Sequence, residues 1–420
     1  MKVMVIGGGG REHAIIKKIK ENPEVTALYA LPGNGGIAKD ATCVDIGAKD
    51  IEGVVAFAKE NAIDFAVVAP DDPLVLGMVD ALTEIGIPCF GPDKKAAILE
   101  GSKVFSKDLM KKYGIPTAAY EVFDDMDKAL AYLETAPIPT VIKADGLALG
   151  KGVIIAETKE AAQDAVRSMM ADKVFGDSGN NIVIEEFMTG PEVSVLSFTD
   201  GKTIVPMISA MDHKRAKDGD KGLNTGGMGT IAPNPYYTEA VAQECMDKIF
   251  LPTMEAMNAE GRTFKGCIFF GLMITPNGPK VIEYNCRFGD PETQVVLPLL
   301  ESDLLTIMKA VAEEKLADVE VKFSDKSACC VIMASAGYPE SYEKGFEITL
   351  PENDALIFIA GAKEADGKLL TNGGRVLGVT EIADTLPEAI AKSYESVKTV
   401  KFDNAFYRND IGKKALEAEV

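Results

Sequence analysis

The sequence predicts a multidomain α/β protein whose N-terminal part is a doubly wound parallel sheet. Three observations predict it. Apolar runs of strand length alternate with helical spacing through the first hundred residues, the rhythm of a parallel sheet wrapped on both faces. Glycine and proline clusters close those runs, at Gly7-Gly8-Gly9-Gly10, at Pro32-Gly33-Asn34-Gly35-Gly36 and at Gly91-Pro92. Finally, 420 residues with 47% apolar composition supply more than one core, and the length allows about two to four domains.

The elements follow in order. Lys2–Ile6 reads as the first strand, and Arg11–Lys20 has helical spacing with Ala14, Ile15 and Ile19 apolar. Val25–Leu31 is the next strand, Ile51–Glu60 a helix, Phe65–Ala69 a buried strand ended by Pro70, Leu74–Ile85 a helix and Pro88–Phe90 a short strand. Ligands on such a sheet sit at the carboxyl ends of the strands. From Gly101 the pattern changes. Ser102–Lys112 is helical and stops at Gly114-Ile115-Pro116. Thr117 to Gly190 reads as a compact β-α-β-type unit with a helix near Ala161–Met170. Further strands, a polar glycine-rich loop and a helix near Glu239–Glu260 lead to a last stretch. That stretch has strands at Cys329–Ala334 and Ala355–Ala360 and a helix at Leu386–Val397.

Charge and cysteine usage exclude several classes. The net charge is −20, from 44 basic and 64 acidic residues. Nucleic-acid and membrane-surface binders need a basic face to displace phosphate counterions. The densest basic stretch, His213-Lys214-Arg215-Ala216-Lys217, is flanked by Asp212, Asp218 and Asp220. No nucleic acid and no membrane partner are therefore expected; separately, no obligate protein partner is expected. Seven cysteines without a C-x-x-C pair, and only two histidines, give no zinc spacing. The odd cysteine count, with an N-terminal apolar run too short for a signal peptide, predicts reduced thiols and a cytoplasmic location.

Four motifs carry chemistry. Gly7–Gly10 before Arg11-Glu12-His13 is a strand, a glycine turn and a helix start, which together make an anion site from backbone N–H groups. A dinucleotide fingerprint fails there, because its last glycine position holds Glu12. Lys143-Ala144-Asp145-Gly146-Leu147-Ala148-Leu149-Gly150-Lys151-Gly152 lies between two apolar strands. The spacing is not that of a Walker loop. It is either an ordinary hairpin or a flexible glycine loop that closes over phosphates with lysine charge. Ile182–Glu186 runs from an apolar strand into paired acids and a turn at Gly190-Pro191. Such an edge offers backbone groups to an adenine and carboxylates to ribose, although acids after a strand are commonly only solvated.

The strongest motif is Lys280-Val281-Ile282-Glu283-Tyr284-Asn285-Cys286-Arg287-Phe288-Gly289-Asp290-Pro291-Glu292. On a strand, Glu283 and Asn285 share a face, and Arg287 continues it. Hard oxygen ligands so placed suit Mg²⁺ bridging nucleotide phosphates, and the arginine suits a carboxylate or phosphate.

Together, Gly-Gly-Arg-Glu-His-Ala from Gly9, the stretch Val141–Ala148, Asn224–Gly229, Arg287–Glu292, Asn372–Val376 and Arg408–Gly412 resemble the phosphoribosylamine–glycine ligases of the ATP-grasp superfamily. The likeness spans essentially the whole chain in order. It implies an N-terminal α/β domain (1–101), a central ATP-grasp domain (102–325) with a mobile lid (about 117–190) and a small C-terminal α/β domain (326–420). It implies ligation of glycine to 5-phosphoribosylamine, with ATP and Mg²⁺ (or Mn²⁺), through glycyl phosphate. Another ATP-grasp carboxylate–amine ligase is the alternative within the class, and a non-catalytic nucleotide sensor lies outside it. By the same resemblance, Lys103, Lys143, Gly146, Gly150, Lys151 and Gly152 lie near phosphates, and Glu185, Phe187 and Glu192 hold adenosine. Glu283 and Asn285 hold the metal. Gly9, Gly10, Asn34 and Asp72 face substrate, with Asp212, Thr225, Gly226, Arg287 and Arg375 closing the site. Arg287 is expected to stabilise charge on the transferring group, and the loop Asp212–Gly229 to act as a gate. His13 or Asp212 is expected to take the amine proton. Two positions depart from the family pattern: Gly8 stands where asparagine is expected, and Asp72 where glutamate is.

Overall fold

A computed structural model describes residues 1–148 and 151–418. The N-terminal strands are Lys2–Gly7 (β1), Ala27–Pro32 (β2), Thr42–Cys43 (β3), Phe65–Val68 (β4) and Cys89–Phe90 (β5). They form one sheet in the order β3-β2-β1-β4-β5, all pairs parallel. Both faces are covered, as a parallel sheet requires. Along β1, Val3 and Val5 belong to one apolar cluster and Met4 and Ile6 to another. The helix expected over Leu74–Ile85 is two helices, Asp71–Leu76 and Met78–Glu84, because Gly77 between them takes φ +98°. Side-chain caps start other helices. Asp50 accepts from Gly53 N–H, Asp93 from Ala96 N–H and Ser102 from Phe105 N–H, each worth about 1 kcal/mol.

The next unit is a four-stranded antiparallel sheet, ordered β6-β9-β7-β8. It is built from Tyr120–Phe123 (β6), Thr140–Ala144 (β7), Val153–Ala156 (β8) and Ile182–Glu186 (β9). Helices Met126–Leu133 and Lys159–Met170 share its apolar cluster with Ile142 and Ile184. The β-α-β-type expectation for 117–190 is thus replaced by an antiparallel sheet with two helices.

Glu192–Thr199 (β10) and Ile204–Pro206 (β11) come next, then Met211–Asp212 (β12), the hairpin Arg215–Lys217 (β13) and Lys221–Asn224 (β14), and Gly229–Ala232 (β15). Gly266–Thr275 (β16) and Gly278–Asn285 (β17) complete a second antiparallel sheet, β11-β10-β16-β17. The chain ends with Ser327–Ser335 (β18), Leu356–Ile359 (β19), the hairpin Ala362–Ala365 (β20) and Lys368–Thr371 (β21), Arg375–Ala383 (β22) and Ala405–Phe406 (β23). The last large sheet runs β12-β15-β18-β22-β19, with β23 on β18, and helix Leu386–Val397 packs on it. Two of its strands, β12 and β15, come from the glycine-rich loop region. Among the described residues no helix is long and apolar enough to cross a membrane.

Candidate active site

The strand β17 sets the site. Its register against β16 pairs Val281 with Leu272 and Glu283 with Gly271, leaving Ile282 unpaired. This bulge switches the alternation. Val281 and Tyr284 both face the apolar cluster beneath, while Glu283 and Asn285 line a cavity of about 1110 Å³. Gly271 leaves room for that turn, since a Cβ there would lie 3.1 Å from Glu283 Cγ. The freed carbonyl of Ile282 accepts Lys143 Nζ at 3.1 Å.

Cations of the neighbouring unit face this strand. Lys143 Nζ pairs with Glu185 Oε2 at 3.0 Å, and Lys107 lies 3.4 Å from Glu185 Oε1. Burial lowers Lys107 to about 8. Lys103 Nζ donates to Gly146 O at 2.6 Å, tying the helix Lys103–Tyr113 to the glycine loop. Burial pushes the Glu283 carboxyl up, but Lys214, Lys143, Lys103 and Arg287 together outweigh it and hold it at about 2. Glu283 is therefore an ionised oxygen donor ringed by cations. Lys214 Nζ is its nearest, at 3.5 Å.

Arg287 is fixed on two sides. Nη2 lies 3.1 Å from Glu100 Oε1 and 3.4 Å from Asn285 Oδ1, and Nη1 donates to Phe288 O at 3.2 Å. Its Nε is buried with no hydrogen-bond partner among the described residues. Glu100 also accepts Cys286 N–H at 2.7 Å, and burial pushes it up to about 7 against the pull of Arg287. A second pair of carboxylates, Asp212 and Glu292, lines the same cavity. Burial raises both, and Asp212 is raised further by the charge of Glu292. The pair consequently holds a proton more readily than ordinary carboxylates do.

The far wall comes from the C-terminal sheet and the loop it holds. Arg375 Nη1 donates to Asp290 O at 3.0 Å and to Gly227 O at 3.3 Å. Thr225 Oγ1 donates to Lys214 O at 2.9 Å, and Gly226 N–H donates to Tyr338 Oη at 3.0 Å. A Cβ at Gly226 would lie 2.9 Å from the Arg375 guanidinium carbon, so a larger residue there would push the arginine aside.

Most residues singled out in the sequence meet here: Lys103, Lys143, Gly146, Lys151, Gly152, Glu185, Phe187, Glu192, Asp212, Thr225, Gly226, Glu283, Asn285, Arg287 and Arg375. Gly150 lies outside the described residues. Gly9, Gly10, Asn34 and Asp72 are not part of the wall, for reasons visible in their contacts. Gly9 N–H donates to Glu12 Oε2 at 2.8 Å and Arg11 N–H reaches Asp290 Oδ2 at 3.4 Å, so the protein's own carboxylates occupy the glycine-turn amides. A Cβ on Gly10 would meet Gln294. Asn34 donates to Gly8 O and Ile359 O and accepts from Gly36 and Ile37. For Asp72, it is the preceding residue, Asp71, that lines the cavity. The expectation for His13 is corrected as well. Its Nδ1 accepts Ile359 N–H at 2.8 Å and its Nε2 faces Asp40 at 2.9 Å, while burial lowers its pKa. It ties the first helix to β19 and is not among the residues lining the cavity. Sequence reasoning missed Glu100, Lys107, Lys214 and Tyr338; only Lys214, in the basic stretch beside Asp212, carried a signal.

The chain matches known families along its length. The phosphoribosylglycinamide synthetase N domain matches residues 1–100, the ATP-grasp (A) domain of that family 101–293 and its C domain 328–414. The phosphoribosylamine–glycine ligase of Clostridium acetobutylicum is 48% identical over 414 residues, 98% of this chain and 100% of that protein. That of Halalkalibacterium halodurans is 48% identical over 419 residues, 99% of this chain and 97% of that protein. The crystal structure of phosphoribosylamine–glycine ligase from Thermotoga maritima superimposes with TM-score 0.86 at 36% identity, covering 98% of this chain and 100% of that one. The biotin carboxylase domain of Hydrogenobacter thermophilus 2-oxoglutarate carboxylase, solved with MgADP and bicarbonate, shares the fold at TM-score 0.73 and 17% identity, over 96% of this chain and 91% of that one.

Proposed function

The chain belongs to the phosphoribosylglycinamide synthetase family, and from that membership and the cavity's geometry we propose which residues perform the family's reaction. The reaction is the ADP-forming, ATP-dependent ligation of glycine to 5-phosphoribosylamine in purine biosynthesis. The observation that carries the residue assignment is the bulged end of β17 and the turn after it, where Glu283, Asn285 and Arg287 share one cavity with Lys103, Lys107, Lys143 and Lys214.

A glycine carboxylate does not acylate an amine at neutral pH, because oxide is a poor leaving group. In our reading, a carboxylate oxygen attacks the γ-phosphorus of ATP, ADP leaves, and glycyl phosphate forms. The sugar amine then attacks the glycyl carbon, the C–O bond to phosphate breaks and the amide forms. Positioning and charge neutralisation carry such a step. Lys103, Lys143 and the loop from Gly146 to Gly152, with Lys151, hold the phosphates. Glu185 acts by holding Lys143 and Lys107, and the adjoining segment with Phe187 and Glu192 binds adenosine. Arg287, with its unpartnered Nε, stabilises charge on the transferring group. Arg375, Thr225 and Gly226 hold the sugar side, and Asp212 with Glu292 receives the amine proton. We assign residues 1–101, 102–325 (lid about 117–190) and 326–420 to the three domains.

An ATP-grasp domain works with a divalent cation. Glu283 and Asn285 offer two oxygen donors, and no cluster of three metal-binding side chains occurs among the described residues. A hard ion that keeps waters and phosphate oxygens fits such a site, and Mg²⁺ and Mn²⁺ both qualify. The bound ion supplies charge neutralisation on the phosphates. All seven cysteines are free, in keeping with a reducing cytoplasm. The test is ADP release with Mg-ATP, glycine and 5-phosphoribosylamine, each omitted in turn. ADP formed only with all three supports the reading; ADP formed without glycine overturns it.

A further inference from the structure

The stretch Arg408-Asn409-Asp410-Ile411-Gly412 plays no part in the reaction above, and none of these residues lines the cavity. Yet Arg408 is 2% exposed and spends its whole guanidinium. Its Nε and Nη2 donate to the two Asp410 oxygens at 2.8 and 2.9 Å. Its Nη1 donates to Arg215 O at 3.1 Å and pairs with Asp220 Oδ1 at 3.0 Å. Asp410 Oδ2 also accepts Gly219 N–H at 2.8 Å. Asn409 donates its N–H and its Nδ2 to Asp218, at 2.8 and 3.0 Å. Gly412 N–H donates to His213 Nε2 at 3.1 Å, and the other ring nitrogen donates to Gly229 O at 3.0 Å.

These outward contacts of the short segment thus land on the loop between β12 and β15, while its backbone is also anchored to the helix Leu386–Val397: Tyr394 Oη donates to Arg408 O at 2.7 Å and accepts Ile411 N–H at 2.9 Å. The hairpin inside that loop, β13–β14, has only two registered pairs, Arg215 with Asn224 and Lys217 with Lys221. A ribbon so short does not hold its shape alone. Its flanking residues Asp212, Lys214, Thr225 and Gly226 do line the cavity. Contacts from outside the loop therefore hold the hairpin in the shape it has here.

We propose that Arg408–Gly412 is a positioning clamp for the substrate wall of the cavity, with Arg408 as its central positioning residue. The clamp sets how well the sugar amine is bound, because the loop it holds carries Thr225 and Gly226; the loop's tie to the nucleotide side is the side chain of Lys214, 3.5 Å from Glu283, which none of the clamp's hydrogen bonds or ion pairs among the described residues engages. This rests on the assignment of Thr225, Gly226 and Arg375 to the sugar side.

Two variants of the full chain test it. Arg408→Lys keeps the charge but loses the fork that bridges Asp410, Asp220 and the Arg215 carbonyl. Asn409→Ala removes the one exposed side-chain contact, Nδ2 to Asp218, and keeps the backbone N–H donor. Hydrogen exchange at the Gly219, Thr225 and Met228 amides should accelerate in both. KM for 5-phosphoribosylamine should rise about tenfold or more, since small misplacements of positioning groups carry large costs. KM for ATP and thermal stabilisation by Mg-ADP should stay as in the parent. Unchanged exchange and unchanged KM in both variants would overturn the proposal, and so would equal rises in both KM values, which mark a merely structural role. If Arg408→Lys does not fold, Asn409→Ala decides alone. Arg375→Ala separates the clamp from its premise. If it raises KM for the sugar amine and the clamp variants do not, the clamp alone is wrong. If exchange accelerates but no variant, Arg375→Ala included, moves that KM, the wall assignment is wrong and the positioning role falls with it.

Discussion

Arg287 sits where two domains of the chain meet, between Glu100 at the end of the helix Lys94–Gly101 and Asn285 at the end of β17. A guanidinium fixed on both sides is preorganised, and a preorganised charge is worth most where charge develops. Arg287→Ala should lower kcat by about 100-fold or more, as the loss of a transition-state donor does, while Mg-ATP still raises the melting temperature. Glu100 gives a second, independent reading. The folded protein holds its proton up to about 7, whereas the ordinary value is 4.5. Between those values the folded state binds more protons than the unfolded chain, so stability falls as pH rises through that window. Glu100→Gln should flatten this slope in urea unfolding followed from pH 4.5 to 7, and an unchanged slope would place the proton elsewhere. The sequence displayed Arg287 plainly, on one face with Glu283 and Asn285. Glu100 was not legible, because its partner is remote in the chain and only the folded contact joins them.

At the scale of elements, alternation was readable and its interruptions were not. The same-face placement of Glu283 and Asn285 follows from strand geometry, but Val281 would share that face without the bulge at Ile282. Nothing in the residue types announces that bulge; its register is set by packing against β16. Gly77 had the same effect on the helix pattern, dividing it with a left-handed residue. The loop Asp212–Gly229 read as mobile because it is polar and glycine-rich, yet its ends are strands of the C-terminal sheet. The glycine loop after β7 yields a prediction at this scale. Gly146 takes φ +84°, and a Cβ there would lie 2.7 Å from Ser178 Oγ. Left-handed backbone costs an L-residue about 1–2 kcal/mol, so Gly146→Ala should raise KM for ATP by up to about tenfold while KM for glycine changes little. Equal changes in both would show that the loop does not serve the nucleotide.

For the whole molecule, the doubly wound N-terminal sheet and the order of the parts could be read directly, since hydrophobic rhythm and glycine punctuation are local signals. The way the parts meet could not. Asn34 and His13 belong to the N-terminal part by sequence, but both bond to Ile359 in the C-terminal sheet. Their polar groups join the N-terminal part to the C-terminal sheet, and no periodicity reveals that. Nucleotide binding should register across the whole fold. Mg-ATP at about 100 times its Kd should add about 2.7 kcal/mol of stability and raise the melting temperature, and NAD should not.

The most direct test of the mechanism uses glycine labelled with ¹⁸O in both carboxylate oxygens, with Mg-ATP and 5-phosphoribosylamine. Activation through glycyl phosphate predicts one ¹⁸O in each phosphate released, the other ¹⁸O in the amide product, and one ADP per amide formed. Phosphate free of label, alongside amide product, would contradict transfer of the phosphoryl group to the glycine carboxylate.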